Sequence, residues 1–493
     1  MIHICIALMP QTTAEAVSQM TDLAPKADLF ELRVDAMQEC DLGAVLAART
    51  RPMIVTNRRA AEGGCREQPE DARLAVLAEA VRLGADYVDV ELAGLAAFER
   101  LVPSTERGRT KLIVSYHDTE NMPPDLPARA REIEATGADV VKVAGTARRL
   151  EDNLPVFETL RATRKPVIAL AMGELGEPSR ILAGKFGGLL MFASTAAGAE
   201  SAPGQITTRQ MRELYHAHRV GPDTKVYAVM GNPVEHSLSP AIHNAAFKAA
   251  GIDAVYVRLK VKGDPAEVVR AFEAVPVDGY SVTIPHKEAV MAACVQVDAT
   301  SRRMRAVNTL VRRDDGYHAT NTDVTSAMKV LAAALGTDDF GGKRALVVGA
   351  GGVGRAYVHG LVERGAEVFV TDIDAARCDA LAAEAGATAI AQHDLARCEA
   401  DVLMNATPVG MWPKVDATPV PAELLRTGMI VFDAVYNPGE TRLLREAAAA
   451  GCVTLSGVEQ FVGQAVEQFE LWTGKDAPQA LMRQVVLDAL AVR

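Results

Sequence analysis

The sequence is short of positive charge, of paired cysteines and of long apolar runs, and each shortage excludes a class of protein. Its 493 residues include 52 Lys and Arg against 63 Asp and Glu, for a net charge of −11, whereas nucleic-acid-binding surfaces are basic. The seven cysteines are dispersed without a CxxC pair, which is typical of a reducing compartment. The apolar runs fall short of the roughly 18 residues that a membrane-spanning helix needs. We therefore expect neither a nucleic-acid partner nor a membrane.

The amino-terminal segment MIHICIALMP lacks a basic region and a small-residue cleavage site. It therefore predicts no secretory signal peptide and a cytoplasmic location. Hydrophobic residues make up 49% and charged residues 23% of the chain, which excludes a disordered, collagenous or coiled-coil protein. At roughly 100–200 residues per domain, the length predicts two to four domains.

Eight apolar, strand-like segments recur in the first part of the chain, starting near residues 2, 28, 51, 86, 111, 139, 165 and 187. Stretches with apolar residues at helical spacing separate them, as at residues 69–84. Eight sequential βα units of similar size favour closure of a parallel sheet and predict a (β/α)8 barrel. A doubly wound open sheet is the alternative.

The remainder of the chain is also of the α/β class and predicts two further domains. A polar stretch at residues 216–224 indicates a linker. A later block reads as strand, Gly-rich turn, helix and strand, the pattern of a Rossmann nucleotide-binding domain. We predict a barrel over 1–218, a substrate-binding domain over 225–325 and the Rossmann domain over 326–475. The C-terminal helices, about 456–493, are expected to pack back on the substrate domain.

The strongest local motif is GAGGVG, which follows the strand-like RALVV and opens a helical segment. In that context the glycines let the backbone approach a pyrophosphate at a helix N-terminus. Asp372 ends the next strand, where an acidic side chain accepts hydrogen bonds from an adenosine ribose. The alternatives are a Gly-rich turn without a ligand and, for Asp372, a helix N-cap. The motif comprises Gly349, Ala350, Gly351, Gly352, Val353 and Gly354.

Polar residues of the middle block lie in GNPVEHSLSP, SVTIPHK, AVNTL and ATNTD. Ser237 and Ser239 lie two apart in a loop, where they suit a polyol or a carboxylate. A pair formed by Lys287 and Asp323 beside a nicotinamide suits proton transfer during carbonyl reduction. Each of these residues alone, like Asn308, is more simply a turn or cap residue. Their joint occurrence carries the interpretation.

Polar residues of the first block cluster at the ends of predicted strands, where a barrel carries its catalytic residues. Lys142 lies in the apolar segment DVVKVAG, so we expect a desolvated amine suited to attack a carbonyl. A lysine that snorkels to water is the alternative. The sequence contains no HExxH and no other local His or Cys ligand spacing, so we predict no metal. The other strand-end residues are Glu31, Arg33, Asp35, Arg58, Glu62, His117 and Arg180.

These patterns together resemble two enzyme families joined end to end. Residues 1–218 resemble type I 3-dehydroquinate dehydratase through ELRVD, TNRRAAEGG, SYHD, VVKVAG, MGELGEPSR and SAPGQI. Residues 225–493 resemble shikimate dehydrogenase through GNPVEHSLSPAIHN, SVTIPHK, GAGGVGRA, NATPVGM and GVEQFVGQAVEQFELWTG. The resemblance is to the plant-type fusion of aromatic amino-acid biosynthesis. It implies dehydration of 3-dehydroquinate to 3-dehydroshikimate, followed by nicotinamide-dependent reduction to shikimate.

The dehydratase resemblance implies a role for each matching residue. Lys142 would form a Schiff base with the C3 ketone, His117 would move the C2 proton, and Glu62 would orient His117. Arg180 would clamp the substrate carboxylate through a bidentate fork. The other implied substrate-binding positions are Glu31, Arg33, Arg58, Ser201 and Gln205.

The dehydrogenase resemblance makes Lys287 and Asp323 the catalytic pair. It implies small-molecule substrates and a nicotinamide dinucleotide, and it leaves the oligomeric state open. The implied shikimate-binding positions are Ser237, Ser239, Thr283, Asn308, Tyr436 and Gln464. The implied cofactor contacts are the GAGGVG residues with Asp372, Asn405, Thr407 and Gly457.

The cofactor preference departs from the family pattern. The NRT that ends the second nucleotide-binding strand in the family reads Asp372-Ile373-Asp374 here, so Ile373 replaces the Arg that would hold a 2′-phosphate. The resemblance implies NADP, whereas Asp372 and Ile373 favour NAD. Arg377 is the nearby cation, one helical turn on. We predict that NAD is used at least as well as NADP.

Two alternatives to this interpretation stay open. One keeps the dehydratase but gives the other half quinate as its main substrate, with NAD; the presence of both Ser237 and Ser239 favours shikimate instead. The other is a regulator that binds these metabolites without turnover. Retention of every residue of both catalytic sets disfavours the regulator.

Overall fold

A computed structural model describes residues 2–196 and 198–491 of the chain. Its internal contacts divide the chain into two compact units. The first unit consists of Met1–Val226, Asp253–Lys262 and Ala271–Pro276, and the second of Tyr227–Ile252, Gly263–Arg270 and Val277–Arg493. The three domain boundaries expected from the sequence stay predictions.

The first unit is built on a parallel sheet whose strands follow one another in chain order. The strands are β1 His3–Leu8, β2 Leu29–Arg33, β3 Met53–Thr56, β4 Tyr87–Glu91, β5 Lys111–His117, β6 Val140–Thr146, β7 Val167–Met172, β8 Leu190–Ser194 and β9 Ile206–Thr207. Their order is β7-β6-β5-β4-β3-β2-β1-β8-β9. β1 pairs with both β2 and β8, and the amide of Leu189, just before β8, donates to the carbonyl of Val167 in β7, so the sheet curls until β7 and β8 meet. The predicted barrel is confirmed, and the open doubly wound sheet is wrong.

The seam between β7 and β8 differs from the other strand contacts of the barrel. Within the described residues these two strands are not ladder neighbours, because β8 pairs with β1 and with the short β9. The amide of Leu189, just before β8, donates to the carbonyl oxygen of Val167 at 2.8 Å. Beyond the strands, the amide of Gly173 donates to the carbonyl of Pro203 at 2.9 Å.

Helices follow most strands of the barrel. Thr12 caps the first of them by accepting from the amide of Glu15, and Asp41 caps the second through the amide of Ala44. The barrel helices are α1 Thr13–Leu23, α2 Leu42–Ala48, α3 Glu70–Arg82, α4 Leu95–Leu101, α5 Leu126–Glu134, α6 Leu154–Ala162 and α7 Glu177–Leu182.

Strand alternation decides which side chains share the interior of the barrel. Successive side chains of a strand point to opposite faces, and in-register neighbours share a face. Glu91 of β4, Ser115 of β5 and Lys142 of β6 are in register. Residues from β2, β4, β6 and β8 contact one another through Lys142, which only side chains directed into the barrel can do.

A six-stranded mixed sheet follows the barrel strands in the chain. Its strands are β10 Lys225–Gly231, β11 Ala254–Lys260, β12 Val277–Val282, β13 Cys294–Val297, β14 Thr309–Arg313 and β15 Gly316–Thr320, in the order β11-β10-β12-β14-β15-β13. β14 runs antiparallel to β12 and β15. The helices that accompany it are α8 Ser239–Ala249, α9 Pro265–Ala271 and α10 Ala299–Met304.

The last sheet is parallel and doubly wound. Its strands are β16 Arg344–Val348, β17 Glu367–Thr371, β18 Thr388–Ala389, β19 Val402–Asn405, β20 Ile430–Asp433 and β21 Val453–Ser456. The order β18-β17-β16-β19-β20-β21 is that of a Rossmann domain, with the switch point between β16 and β19. Val347 packs in a core on one face and Leu346 in a core on the other. The Rossmann prediction is confirmed.

The remaining helices complete the second unit. They are α11 Thr322–Leu335, α12 Gly352–Glu363, α13 Ala375–Ala385, α14 Arg442–Ala449, α15 Gly457–Thr473 and α16 Gln479–Ala491. The long α15 packs against α11, and α16 packs against α8 and α15. Among the described helices, none is both long and apolar enough to cross a membrane.

Candidate active sites

Lys142 lies in the middle of β6, is 5% exposed, and directs its amine between two carboxylates. Nζ is 2.7 Å from Asp89 Oδ2 and 3.4 Å from Glu31 Oε1, and it lies 4.4 Å from the centroid of the Phe192 ring. The expected apolar setting is therefore wrong. The valines beside Lys142 in the sequence point to the other face of the strand, and residues from facing strands surround its side chain.

Arg58 ties the carboxylates of β4 together. Its guanidinium binds both oxygens of Asp89, at 3.2 and 2.8 Å, and donates to Glu91 Oε1 at 3.0 Å and to Ser115 Oγ at 2.8 Å. Burial alone opposes ionisation of Asp89, but the charges of Arg58 and Lys142 hold its pKa well below the ordinary value. Asp89 is thus a buried carboxylate anion shared by two cations.

Three members of this network, Asp89, Glu91 and Ser115, were not singled out from the sequence. A signal was available for the two carboxylates. They alternate with valine in the VDVE segment that ends β4, and a position at a strand end is what drew attention to Glu31 and Arg33. Arg33 itself is held by Asp35, at 2.9 and 2.7 Å, and donates to the carbonyl of Gly63 at 3.1 Å.

His117 ends β5 and is paired with Glu62. Glu62 Oε2 accepts the backbone amide of His117 at 3.0 Å and lies 3.3 Å from its Nδ1. Burial and the positive charges of Arg58 and Lys142 lower the pKa of His117 well below its ordinary value. Burial and the charge of Glu91 raise the pKa of Glu62 to about 7. The imidazole is therefore neutral near pH 7 and suited to accept a proton.

Arg180 of α7 is buried, at 1% exposure, with few partners. Nη2 donates to the carbonyl of Pro203 at 3.4 Å, and Nε has no hydrogen-bond partner among the described residues. Burial lowers its pKa to about 10, so the group stays charged at neutral pH. Ser201 and Gln205 flank Pro203 in the sequence, and Gln205 Nε2 donates to Ser201 Oγ at 3.0 Å. A buried guanidinium with an unused N–H fits an incoming carboxylate.

The predicted dehydrogenase pair meets in the second unit. Lys287 Nζ lies 2.6 Å from Asp323 Oδ2, and their side chains are 18% and 16% exposed. Asn321 caps α11 by accepting the amide of Asp323 at 3.0 Å, which fixes the aspartate at the first turn of the helix. The backbone of Lys287 is fixed as well, because its carbonyl accepts the amide of Val307 at 2.9 Å. The pair is ordered but remains accessible.

Three glutamines lie on one face of α15, and two of them bond to the backbone of Asp323 or Asn308. Gln460 Nε2 donates to the carbonyl of Asp323 at 3.3 Å. Gln468 Nε2 donates to the carbonyl of Asn308 at 3.3 Å. The predicted Gln464 lies between them at a spacing of four, which is the same helix face. Gln460 and Gln468 were not singled out from the sequence, although their spacing from Gln464 was readable there.

The other predicted substrate positions lie at loop and strand ends. Ser237 Oγ accepts the amide of Ser239, the first residue of α8, at 3.2 Å. Thr283 directly follows β12. The side chain of Asn308 is buried and donates from Nδ2 to Thr322 Oγ1 at 3.0 Å. The Tyr436 ring stacks on Phe461, with the ring centroids 4.4 Å apart.

The Gly-rich turn between β16 and α12 is tight on one side and open on the other. Gly349 has φ +108°, and a Cβ on Gly354 would lie 1.8 Å from the carbonyl oxygen of Gly349. A Cβ on Gly351 or Gly352 would meet no heavy atom within 4 Å. Bare backbone at the N-terminus of α12 thus fits a pyrophosphate. Ala350 and Val353 occupy the remaining two positions of the motif.

Asp372 supports this turn and is not the helix cap that the sequence left open. Its Oδ2 accepts the amide of Ala350 at 2.6 Å, and its Oδ1 accepts the amide of Asp374 at 2.8 Å. Asp374 is the N-cap of α13, and its Oδ2 pairs with Arg377 Nη2 at 3.0 Å. The side chain of Ile373 is 92% exposed.

Asn405 and Thr407 form a second turn beside the Gly-rich one. Asn405 Oδ1 accepts the amide of Thr407 at 3.0 Å, and its Nδ2 donates to Asp433 Oδ1 at 2.8 Å. Gly457 opens α15, where a Cβ would lie 2.5 Å from the carbonyl oxygen of Ala434. In the described part of the chain, no group of three or more His, Cys, Asp or Glu could hold a metal ion.

Family models match both parts of the chain. Residues 4–222 match type I 3-dehydroquinase, and residues 229–310 match the shikimate dehydrogenase substrate binding domain. Residues 457–487 match the shikimate 5′-dehydrogenase C-terminal domain. Residues 344–434 match a family described as NADP oxidoreductase, coenzyme F420-dependent. The Rossmann domain therefore binds a nicotinamide dinucleotide.

Known proteins agree with this division. A curated relative from Arabidopsis thaliana, a chloroplastic bifunctional 3-dehydroquinate dehydratase/shikimate dehydrogenase, is 39% identical over 93% of this chain and 80% of its own. A Halobacterium salinarum shikimate dehydrogenase (NADP(+)) is 44% identical over 52% of this chain and 97% of its own. A quinate dehydrogenase structure from Corynebacterium glutamicum, in complex with NAD, is 31% identical, covers 54% of this chain and 99% of its own, and gives a TM-score of 0.51. The chain belongs to the family of bifunctional 3-dehydroquinate dehydratase/shikimate dehydrogenases, enzymes of the shikimate pathway.

Proposed function

We propose that the barrel dehydrates 3-dehydroquinate through an imine on Lys142. The Nζ–C3 bond forms, and the ketone oxygen leaves as water. Loss of the C2 proton sends its electron pair toward the imine nitrogen and gives an enamine. The enamine then expels the C1 hydroxyl as water, and hydrolysis of the imine releases 3-dehydroshikimate and Lys142. The observation that carries this proposal is the amine of Lys142, which is held inside the barrel between Asp89 and Glu31.

His117 takes the C2 proton in this proposal and returns it to the leaving C1 hydroxyl. Its lowered pKa keeps the imidazole neutral before the reaction, and Glu62 at Nδ1 supports the positive charge that develops on the ring. Arg180 binds the substrate carboxylate with its unused N–H groups. Ser201, Gln205, Glu31, Arg33 and Arg58 are the remaining proposed substrate positions.

Borohydride reduction tests the imine directly. Borohydride added with 3-dehydroquinate should leave a reduced adduct on Lys142, because hydride reduces the imine to a stable secondary amine. Mass spectrometry of the digested protein locates the adduct, and Lys142→Ala is the matched control, which should take up no label. Absence of an adduct, or its location on another lysine, would contradict the proposal.

In the dehydrogenase half, we propose that Lys287 and Asp323 handle the proton at the reacting oxygen. Their pairing at 2.6 Å and partial exposure suit proton exchange with a bound carbonyl or hydroxyl group. The nicotinamide cofactor supplies hydride chemistry when it is bound. Ser237, Ser239, Thr283, Asn308, Tyr436 and Gln464 are the proposed shikimate-binding positions. Asn405, Thr407 and Gly457 are proposed cofactor contacts together with the Gly-rich turn.

We propose that NAD is used at least as well as NADP. A carboxylate at Asp372 repels a 2′-phosphate carrying close to two negative charges, and exposed Ile373 offers no guanidinium. Arg377 is paired with Asp374, so its charge is already shared. The double change Asp372→Asn with Ile373→Arg should shift the preference toward NADP.

Steady-state kinetics with shikimate and with quinate, each with NAD and with NADP, test the cofactor proposal. It is wrong if kcat/KM of the unmodified enzyme favours NADP tenfold or more, which is roughly 1.4 kcal/mol of discrimination. The same four measurements test a second candidate, a quinate dehydrogenase that uses NAD. The acidic residue at the ribose position favours this candidate, as does the likeness to an NAD-bound quinate dehydrogenase. The pair Ser237 and Ser239 favours shikimate.

A further inference from the structure

Asp89 is placed to act on the charge of Lys142 rather than on the substrate. Its side chain is fully buried, and Oδ2 is 2.7 Å from Lys142 Nζ. Arg58 grips both carboxylate oxygens, and Ser115 Oγ donates to Oδ1 at 2.6 Å. These contacts fix the direction in which the carboxylate faces. Because Asp89 is not exposed to solvent, its charge is screened far less than that of a surface group.

Imine formation reduces the number of hydrogen bonds that the charged nitrogen of Lys142 can donate. The free ammonium has three protons and pairs with Asp89 and Glu31. A protonated imine keeps one positive charge but only one N–H, so it can donate to a single acceptor. The nearer acceptor is Asp89, at 2.7 Å against 3.4 Å for Glu31. Glu31 also accepts from Thr56 Oγ1 at 2.9 Å.

We propose that Asp89 is the counter-ion of the protonated imine on Lys142, and thereby a positioning residue of the dehydratase. It accepts the single N–H of the imine and holds the positive charge that draws electrons from C2. Asp89 exchanges no proton, since Arg58 keeps it ionised throughout. The inference rests on the imine proposed above. It adds that the charge of this imine depends on one buried carboxylate.

Other charged groups around the nitrogen do not take this role. His117 is neutral before the reaction and gains positive charge when it takes the C2 proton, so it opposes the imine charge. Glu62 lies against His117 and shares its carboxylate with that ring and backbone. Glu91 is divided between Arg58 at 3.0 Å and Arg73 at 2.7 Å. Arg58 and Arg73 are cations and repel the imine.

The test is the alkaline limb of the dehydration rate in the full chain. A protonated imine next to a carboxylate keeps its proton to higher pH than one without it. In Asp89→Asn, the limb of kcat should therefore move to lower pH by about one unit or more. Ser115→Ala is the matched control, because it disturbs the same network without removing a charge, and its limb should stay in place. A limb that does not move in Asp89→Asn, while borohydride still labels Lys142, overturns the inference.

Three readings separate this result from other failures. Shikimate oxidation by the same chain, together with the circular dichroism spectrum, shows whether Asp89→Asn is folded. Absence of borohydride labelling in the unmodified enzyme would contradict the proposed imine and, with it, this inference. Glu31→Gln should move the limb less than Asp89→Asn does, because Glu31 lies farther from Nζ and does not accept the imine N–H. A shift of the limb in Glu31→Gln in place of Asp89→Asn assigns the counter-ion to Glu31 and overturns the inference.

A second measurement decides the matter if Asp89→Asn does not fold. Substrate labelled with ¹³C at C3 reports by its chemical shift whether the bound imine is protonated. We expect a protonated imine at about pH 9 in both the unmodified chain and Glu31→Gln. A neutral imine in the unmodified chain, or loss of the proton in Glu31→Gln, is incompatible with Asp89 as the counter-ion.

Discussion

The pKa of Glu62 is raised and that of His117 is lowered, and both shifts bear on the proposed transfer of the C2 proton. Burial and Glu91 raise the pKa of Glu62 to about 7. Below that pH the carboxyl is protonated and, in the proposed mechanism, cannot support the positive charge that His117 gains with the C2 proton. Dehydration should therefore slow as the pH falls through about 7, by up to tenfold per unit.

Glu62→Gln removes the titrating group that sets this limb. We expect kcat of this variant to be lower by about 10–100-fold and nearly independent of pH between about 6 and 8. A pH–rate profile of both proteins checks this, with shikimate oxidation as the reference for protein concentration and folding. Persistence of the acid limb in the glutamine variant would assign it to another group, such as His117 itself.

Arg180, the proposed ligand of the substrate carboxylate, is expected to lower the stability of the barrel. Its guanidinium is buried, charged and only weakly bonded. Arg180→Met should therefore raise the unfolding free energy of the barrel by about 1–4 kcal/mol and lower kcat/KM about 100-fold or more. Calorimetry of the full chain checks the first effect and initial rates the second. A variant that loses both stability and activity would show that Arg180 is a structural residue.

At the scale of elements, glycines of the Gly-rich turn serve two purposes: Gly354 allows close packing of the backbone, and Gly352 leaves open space beside it. A Cβ on Gly354 would lie 1.8 Å from the carbonyl oxygen of Gly349, whereas one on Gly352 would meet nothing within 4 Å. Gly354→Ala should unfold or strongly destabilise the Rossmann domain, because backbone atoms cannot give way. Gly352→Ala should fold normally, with a KM for the nicotinamide cofactor raised about tenfold or more, because its Cβ enters the space over the turn.

Thermal unfolding and cofactor titration distinguish the two variants. The contrast matters more than either value, because the two glycines are only two residues apart in the same turn. A Gly352→Ala variant that folds and keeps an unchanged KM for the cofactor would mean that the open side of the turn does not receive the pyrophosphate. Dehydration activity of the same chains serves as the internal reference.

How far the sequence predicts these elements depends on the range of the contact. The eight strands show an apolar pattern, and the Gly-rich turn a motif, within a few consecutive residues. Their positions could therefore be predicted from the sequence. The pairing of Lys142 with Asp89 joins residues 53 positions apart. It arises because β4 and β6, the two neighbours of β5, both direct side chains into the barrel interior, which no local pattern reveals. For the same reason, the apolar neighbours of Lys142 in the sequence were a misleading guide to its surroundings.

On the scale of the whole molecule, the two proposed catalytic sets lie in different units of the chain. Lys142→Ala should abolish dehydration and leave shikimate oxidation within a few-fold of the unmodified rate. Lys287→Ala should do the reverse, because Lys287 pairs with Asp323 in the other unit. Separate assays of the two reactions on both variants check this. Loss of both activities from either change, in a folded protein, would contradict the division.

At the seam between β7 and β8, local opening of the barrel can be measured by amide hydrogen exchange. Amides that lack a ladder partner exchange with deuterium sooner than those inside a sheet, so exchange should enter the barrel along the β8-facing edge of β7. The segments after these two strands carry Arg180 and the pair Ser201 and Gln205. A substrate carboxylate bound among them, as proposed above, would span the seam. Deuterium uptake along β7 should then slow when substrate binds. The exchange rate of this edge would therefore report the fraction of sites that hold substrate.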